Sequence, residues 1–493
     1  MKSELIQDLV VVLPMSFLFL MGLVPPLIKV FRGNQEPNPL ATLIYGFIGL
    51  VFATGTTAVL EGGHRMAFSQ SIVLDGISVW ASCLIYFLTA VGMMLAYDHV
   101  ATRARQFAEF CFLLIGSAVG MVVLIMSNDL IVTFIGIETM SLCLYILIAM
   151  NHDAIFSKEA AFKYFVLGSF ASAIFLYGIA LIYGTAGTTY YVGGDAGPGL
   201  MENFGRLLET NRVFVVGVSL VVLGFAFKVA LFPFHAWAPD VYQGASTPVT
   251  AFMATAVKAA TFVAFLRVFD MGEQIQSVSL LNVLTWIAVL TMLAGNIAAI
   301  MQDNFKRLLA YSSVAHSGYA MVGLIAAAFG TDFNSGASSL LFYLFSYAFM
   351  TIGAFAIVAV FEKKADTNLK VSDLKGLARK YPVLGLCLTV LMLSLAGIPP
   401  TLGFFGKFYI FTAAIEQDMY WLAFWGVISS VISVYYYLRP VGVMYMGEGE
   451  GVEMLTSNLL TRMLIAASAL IVIFIGIFSS PAIKVVRSAI AMM

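Results

Sequence analysis

The sequence is poor in charged residues, because Asp, Glu, Lys and Arg together make up only 11% of its 493 residues. Soluble domains carry roughly 25% of these residues, so the composition excludes an ordinary water-soluble enzyme. The formal net charge is -1, and no basic region outside the hydrophobic segments is long enough to form a domain. We therefore expect no nucleic-acid partner.

Cysteine and metal-binding motifs are also scarce. The four cysteines lie inside hydrophobic segments without a CxxC spacing, which is typical of apolar packing residues: Cys83, Cys111, Cys143 and Cys387. No HExxH spacing occurs, and the glycine-rich stretch at 193–199 lacks the strand-to-helix setting of a dinucleotide fingerprint. We read that stretch as part of a turn-rich outer loop. The sequence thus predicts no metal and no cofactor on this chain.

Hydrophobic residues dominate the chain, at 61% of the total. We count about fourteen apolar runs long enough to cross a hydrocarbon core of roughly 30 Å. The first is too long for a removable signal peptide and contains Pro25-Pro26, so we expect it to remain as the first helix. The runs lie near 8–30, 40–60, 77–97, 107–126, 128–150, 160–185, 212–235, 247–268, 278–301, 309–328, 338–361, 382–415, 419–445 and 460–481.

The layout of these runs suggests an internal repeat. Runs four to eight and nine to thirteen each contain one helix that Gly or Pro interrupts beside a lysine. An odd number of helices per unit inserts the second copy upside down, which gives inverted repeats. We predict an all-α polytopic membrane protein with flanking helices at 1–106, five-helix repeats at 107–268 and 278–445, and a last helix within 446–493.

Positive charge is distributed unevenly between the two sides of the predicted membrane. The even-numbered connections and the termini hold few basic residues, whereas the odd-numbered connections hold Lys29, Arg32, Arg103, Arg105, Lys158, Lys306, Arg307, Lys363, Lys364, Lys370, Lys375, Arg379 and Lys380. By the positive-inside rule, both termini face away from the cytoplasm.

Two lysines stand beside proline breaks within hydrophobic runs. Lys228 precedes Pro233 by five residues, and Lys407 follows Pro399-Pro400. Proline frees backbone carbonyls about one turn earlier, and such carbonyls can solvate an amine or receive its proton. A lysine at membrane depth marks an ion or proton pathway, although Lys228 can also snorkel to the surface and Lys407 can be an ordinary interfacial lysine.

Two further ionisable residues lie near the centres of their runs. Lys258 is surrounded by small residues that leave room for water, and Glu138 lies about ten residues from either end of its run. An ionised Glu138 needs a partner, for which Lys228 is a candidate by type. A static salt bridge between helices is the alternative for Glu138, and a structural ion pair is the alternative for Lys258.

Three residues are weaker candidates for proton transfer. Lys163 lies a turn after Lys158-Glu159 and can simply mark a helix end. His235 and His316 lie at the end of, or within, hydrophobic runs, where a histidine can relay protons or serve a structural role.

Four stretches resemble a known family. They run from Glu159 to Gly168, from Phe227 to Phe252, from Tyr311 to Tyr319 and from Leu395 to Phe408. They are similar to the antiporter-like membrane subunits of bacterial respiratory complex I and of the multisubunit sodium/proton antiporters. The wording at 239–244, Pro-Asp-Val-Tyr-Gln-Gly, favours the subunit N family among them. The resemblance extends from about residue 100 to about residue 440.

The resemblance implies a proton-translocating, non-redox subunit of an NADH:quinone oxidoreductase in the bacterial inner membrane, with a sodium/proton antiporter subunit as the alternative. It implies that Glu138 and Lys228 form an ion pair, that Lys258 is the central relay and that Lys407 exchanges protons with the far side. It also implies that NAD, FMN, iron–sulfur clusters and quinone bind to other subunits. The expected partners are the lipid bilayer and other membrane-arm subunits, especially antiporter-like ones. A third possibility is that the chain is a structural scaffold whose charged residues take no part in proton transfer.

Overall fold

The structure, a computed structural model, describes residues 2–60, 65–99, 106–150, 155–194, 197–270, 277–361, 369–449 and 459–492. Arg103, Arg105, Lys363 and Lys364, which contribute to the charge asymmetry, lie outside these residues. The helices are α1 (Lys2–Phe31), α2 (Pro39–Val59), α3 (Gly76–His99), α4 (Phe107–Ile125), α5 (Leu130–Ala149), α6 (Ile155–Ala186), α7 (Phe204–Thr210), α8 (Arg212–Lys228), α9 (Trp237–Gly244), α10 (Thr247–Phe252), α11 (Lys258–Phe269), α12 (Val278–Ile300), α13 (Phe305–Phe329), α14 (Phe333–Phe361), α15 (Leu377–Lys380), α16 (Pro382–Ala396), α17 (Leu402–Glu416), α18 (Tyr420–Met446), α19 (Leu459–Ile477) and α20 (Ser479–Ala491).

Twelve helical segments in the described part of the chain are long and apolar enough to cross a membrane, and α7 with α8 makes a thirteenth if that bent pair is one span. The shorter helix α16 is also apolar. The all-α polytopic class is therefore confirmed. The number of about fourteen spans, the division of the chain and the inverted repeats stay predictions.

The helices differ in how much protein surrounds them. In the most apolar stretch of each helix, the share of buried residues is 100% in the span Thr247–Phe269, 94% in α13 and 89% in α14. The same share is only 33% in α1 and in α19. The first three therefore form the centre of the bundle. A polar side chain on them must find its partner within the protein, since no lipid headgroup or bulk water reaches it.

Both predicted breaks interrupt helices. The first separates α8, which ends at Lys228, from the short helix α9. The second separates α16 from α17, and Gly397 follows the last residue of α16 in a left-handed conformation with φ of 85°. A glycine at this position accepts positive φ without a Cβ clash, and its amide bonds back to the Leu393 carbonyl at 3.1 Å.

Four local features have no counterpart in the sequence analysis. An antiparallel hairpin pairs β1 (Arg65–Ala67) with β2 (Ile72–Leu74). Helix α7 forms within the connection interpreted as a turn-rich outer loop. A π-helical turn at Met253–Val257 interrupts the span that carries Lys258. Helix α20 follows α19 after a break at Phe478 and packs on α3 and α14, so the described residues 459–492 form two helices where one was predicted.

Candidate functional site

Lys228 occupies the end of a half-helix and is enclosed by protein. It is the last residue of α8, and its exposed fraction is 2%, which excludes snorkelling to the surface of the chain. Its Nζ donates to Ser141 Oγ at 2.7 Å and lies 5.8 Å from the ring centroid of Tyr164. The carbonyl end of a helix is electronegative, so this position favours a cation.

Glu138 lies on α5, one turn before Ser141, and is half-buried. Ser172 of α6 donates a hydrogen bond to its Oε1. Among the described residues Glu138 makes no salt bridge with Lys228, so the direct ion pair implied by the resemblance is absent from this structure. Instead, α5 carries both Glu138 and Ser141, the residue whose hydroxyl accepts the hydrogen bond from the Lys228 amine.

The break after Lys228 exposes backbone carbonyls, and side chains satisfy two of them. The indole of Trp237 donates to the Phe227 carbonyl at 3.0 Å. Ser317 of α13 donates to the Val229 carbonyl at 2.6 Å. The second bond links the broken helix to the buried helix α13.

Lys258 begins α11, directly after the π-helical turn, and its exposed fraction is 3%. Its Nζ donates to Ser317 Oγ at 2.8 Å and also to the Ser313 carbonyl. No salt bridge joins Lys258 to a carboxylate within the described segments, which argues against a structural ion pair. Hydroxyl and carbonyl oxygens stabilise a protonated amine while leaving it free to lose its proton.

His316 lies on α13, between the two serines that contact Lys258, Ser313 and Ser317. Its Nδ1 lies 2.5 Å from the Tyr343 hydroxyl, and its Nε2 lies 2.9 Å from the Tyr437 hydroxyl. Both ring nitrogens therefore have a hydroxyl partner, and the tautomer decides which nitrogen donates. The histidine belongs to the polar interior of the bundle.

Lys407 lies inside α17, and its exposed fraction of 4% excludes an ordinary interfacial lysine. Its Nζ donates at 3.1 Å to the carbonyls of Leu395 and Ala396, the last two residues of α16. It also donates to Ser430 Oγ at 3.0 Å and lies 4.8 Å from the Tyr319 ring centroid. The amine thus caps carbonyls that the end of α16 leaves without helical partners.

Lys163 lies in a separate, more exposed cluster. It bonds to Glu159 at 2.7 Å and to Asp240 at 2.9 Å, and Arg307 bonds to Asp240 at 2.7 Å. Burial alone raises the pKa of Asp240, but the hydrogen bonds from Lys163 and Arg307 outweigh it and hold that pKa below its usual value. The cluster lines a cavity of about 130 Å³.

His235 lies in the segment between α8 and α9. Its ring stacks on Phe232 with a centroid distance of 5.6 Å, and burial lowers its pKa. Among the described residues, no hydrogen bond or ring contact joins His235 to the buried lysines. The structure therefore brings together Lys228, Lys258 and His316, with Lys407 next to Tyr319 of α13, and leaves Lys163 and His235 apart.

The polar partners of these residues were not predicted from the sequence. They come from several helices, and they are the hydroxyl groups of Ser141, Ser172, Ser317, Tyr343, Ser430 and Tyr437, the backbone carbonyl of Ser313 and the ring of Tyr319. Only the spacing of Ser313 and Ser317, four residues apart around His316, gave a signal that one helix face is polar.

Comparison with known proteins identifies the family. The model of the transmembrane region of NADH:quinone oxidoreductase and Mrp antiporter subunits matches residues 127–433. The NADH-quinone oxidoreductase subunit N of Bdellovibrio bacteriovorus is 49% identical over 485 residues, which cover 98% of this chain and 99% of the relative. The subunit of the same name from Trichlorobacter lovleyi is 41% identical over 444 residues, which cover 90% of this chain and 88% of the relative.

Solved structures agree with this assignment. A chain of respiratory complex I from Thermus thermophilus matches with a TM-score of 0.80 and 32% identity, over 96% of this chain and 98% of that chain. A chain of the Mrp complex from Dietzia sp. matches with a TM-score of 0.81 over 100% of this chain and 97% of that chain, but its 21% identity shows the shared fold alone. This chain therefore belongs to the NADH:quinone oxidoreductase/Mrp antiporter membrane-subunit family, and within it to the NADH-quinone oxidoreductase subunit N proteins.

Proposed function

We propose that this chain is a proton-translocating membrane-arm subunit of an NADH:quinone oxidoreductase, and that Glu138, Lys228, Lys258 and Lys407 carry the protons. Quinone reduction on other subunits supplies the energy. Each lysine is more readily protonated when its neighbour is neutral, so the sites titrate as a coupled set. A displacement of charge at one of these buried residues then changes the proton affinity of the next one and moves its proton.

The observation that carries this proposal is the double contact of Ser317. Its hydroxyl donates to the Val229 carbonyl, next to Lys228, and accepts from Lys258 Nζ at 2.8 Å. A single side chain therefore connects the break in the first half of the chain with the central lysine. The contact therefore ties the amine of Lys258 to the backbone of the residue that follows Lys228.

A second support is the similar position of two lysines at half-helix ends. Lys228 ends α8, and the amine of Lys407 lies on the last carbonyls of α16. In both cases a cation meets the electronegative end of a helix that stops at membrane depth. This correspondence favours the two inverted repeats, at 107–268 and 278–445, with flanking parts at 1–106 and 446–493.

The remaining residues take supporting roles. His316 extends the polar interior from Ser313 toward Tyr437 and is a candidate relay between Lys258 and Lys407. We assign Lys163 to the partly exposed cluster with Asp240, where water has access, and His235 to the break region.

Subunit N relatives belong to NADH-quinone oxidoreductase, and this supports neighbouring membrane-arm subunits as partners. NAD, FMN, iron–sulfur clusters and quinone are then sites of other subunits, and the chain lies in the bacterial inner membrane. The charge asymmetry favours both termini on the non-cytoplasmic side.

The test uses inverted membrane vesicles that carry Lys228→Ala, with Lys484→Ala on the exposed face of α20 as the matched control. NADH-driven quinone reduction and vesicle acidification are recorded together. We expect both to fall in Lys228→Ala and to persist in the control, with the complex still assembled. If NADH-driven activity is untouched and sodium-driven proton exchange is lost, the chain is an antiporter subunit instead.

A further inference from the structure

A cavity of about 270 Å³ lies where the N-terminal end of α16 meets the start of α19, and none of the buried lysines lines it. Two cationic residues and an interfacial tyrosine form its mouth, and its floor is apolar. The lining residues are Lys380, Tyr381, Pro382, Val383, Leu384, Cys387, Arg462, Ile465 and Ala466. Among the described residues, the two charged side chains that line this cavity, Lys380 and Arg462, are both basic.

The cavity lies at the boundary between membrane and water. Lys380 directly precedes the apolar helix α16, and Arg462 is in the first turn of the membrane span α19. Cys387, five residues beyond Pro382, lies roughly 7.5 Å deeper along the helix axis. Positive charge at the boundary therefore stands above an apolar surface at acyl-chain depth.

The mouth of the cavity lies at the level of the lipid headgroups and can be reached from the side of the bundle. Lys380 Nζ lies 5.8 Å from the ring centroid of Tyr381, a residue type that anchors helices at the headgroup level. Val383 is 68% exposed, so the apolar wall is reachable from the side of the bundle. Arg379 and Lys375 lie just outside and add to the positive field.

We propose that this cavity binds an anionic phospholipid, with the phosphate between Lys380 and Arg462 and the upper acyl chain against α16 and α19. Two cations next to an apolar wall match a ligand that has a phosphodiester and a hydrocarbon chain in the same order along the membrane normal. A volume below the roughly 300–1,000 Å³ of typical small-molecule pockets suits a headgroup and the first carbons of one chain.

The test is photolabelling of the intact oxidoreductase complex. A phosphatidylglycerol with a diazirine high on its acyl chain is added to the delipidated complex, and the labelled peptides are identified by mass spectrometry. We expect label within 382–387 and 462–466, and competition by unlabelled phosphatidylglycerol but not by phosphatidylcholine. Each basic residue near a membrane surface contributes about fivefold in lipid affinity, so the double variant Lys380→Gln/Arg462→Gln lowers labelling roughly twenty-five-fold.

Arg379→Gln is the matched control, because it removes one positive charge next to the cavity from a residue that does not line it. If lipid binding depends on the residues that line the cavity, Arg379→Gln should leave the labelling within about twofold of wild type. Equal competition by phosphatidylcholine, or equal loss in Arg379→Gln, would overturn the proposal. Absence of label from 382–387 and 462–466 in the intact complex would also overturn it, since a neighbouring subunit then covers this face.

Discussion

Ser317→Ala is the substitution that tests the buried connection most sharply. It removes the hydroxyl that accepts from Lys258 Nζ at 2.8 Å and donates to the Val229 carbonyl at 2.6 Å. The mutation leaves Lys258 and its Ser313 carbonyl partner in place. Its effect therefore reports on the link between the two lysines and not on the loss of a titratable group.

The expected size follows from the hydrogen bond to a charged amine. Such a bond contributes about 1.5–3 kcal/mol, and a barrier raised by this amount slows a step between about tenfold and a hundredfold. The assay is NADH-driven acidification of inverted vesicles, recorded together with NADH oxidation. We expect both rates to fall together, because redox turnover is coupled to proton movement.

Two control variants separate this effect from a general loss of packing. Ser317→Thr keeps the hydroxyl and should restore most of the rate. Ser338→Ala removes another buried serine, whose hydroxyl bonds only to carbonyls of its own helix, and should retain nearly full activity. A wild-type acidification rate in Ser317→Ala, in a fully assembled complex, would refute the reasoning.

Three more predictions follow from other contacts. Lys407→Ala should lower acidification at least tenfold with the complex assembled, and acidification at the wild-type rate would assign this lysine to capping alone. Arg267→Met leaves the buried carboxylate of Asp75, now 2.6 Å from Arg267, without its ionic partner and with only the hydrogen bonds from Ser78. We expect this variant to destabilise the subunit by about 3–5 kcal/mol, whereas addition of Asp75→Asn should restore assembly on a native gel. Because the pKa of Asp240 is lowered, its contribution to stability is present above pH about 4 and is lost as the pH falls through that pKa, so Asp240→Asn should lower the thermal midpoint at pH 7 but not at the acid limit.

The sequence predicted the positions of the buried charges but not their partners. A lysine in an apolar run is visible in one dimension, because its desolvation cost makes it conspicuous. Its partner is not visible, since Ser141 lies 87 residues from Lys228 and serine is common in membrane helices. For the same reason, the resemblance suggested a Glu138–Lys228 ion pair, whereas in the structure each of the two residues bonds to a serine hydroxyl.

The fold shows a similar division between what composition dictates and what packing decides. Hydropathy predicted the long spans and the two proline breaks, because both follow from local chemistry. The π-helical turn before Lys258 has no sequence signature of its own and depends on the helices around it. Helix α20 was not predicted as a separate element, because the last hydrophobic run was drawn to end near residue 481, although Pro481 marks a new start.

The central claim is that the buried lysines of this chain move protons for a redox enzyme located elsewhere in the assembly. The most direct measurement is the rate of acidification and of quinone reduction by inverted vesicles that carry Lys258→Ala, with assembly of the other subunits verified. We expect both rates to fall well below those of wild type while the complex remains intact. Unchanged acidification would show that Lys258 carries no protons, and loss of the complex from the membrane would assign Lys258 a structural role instead.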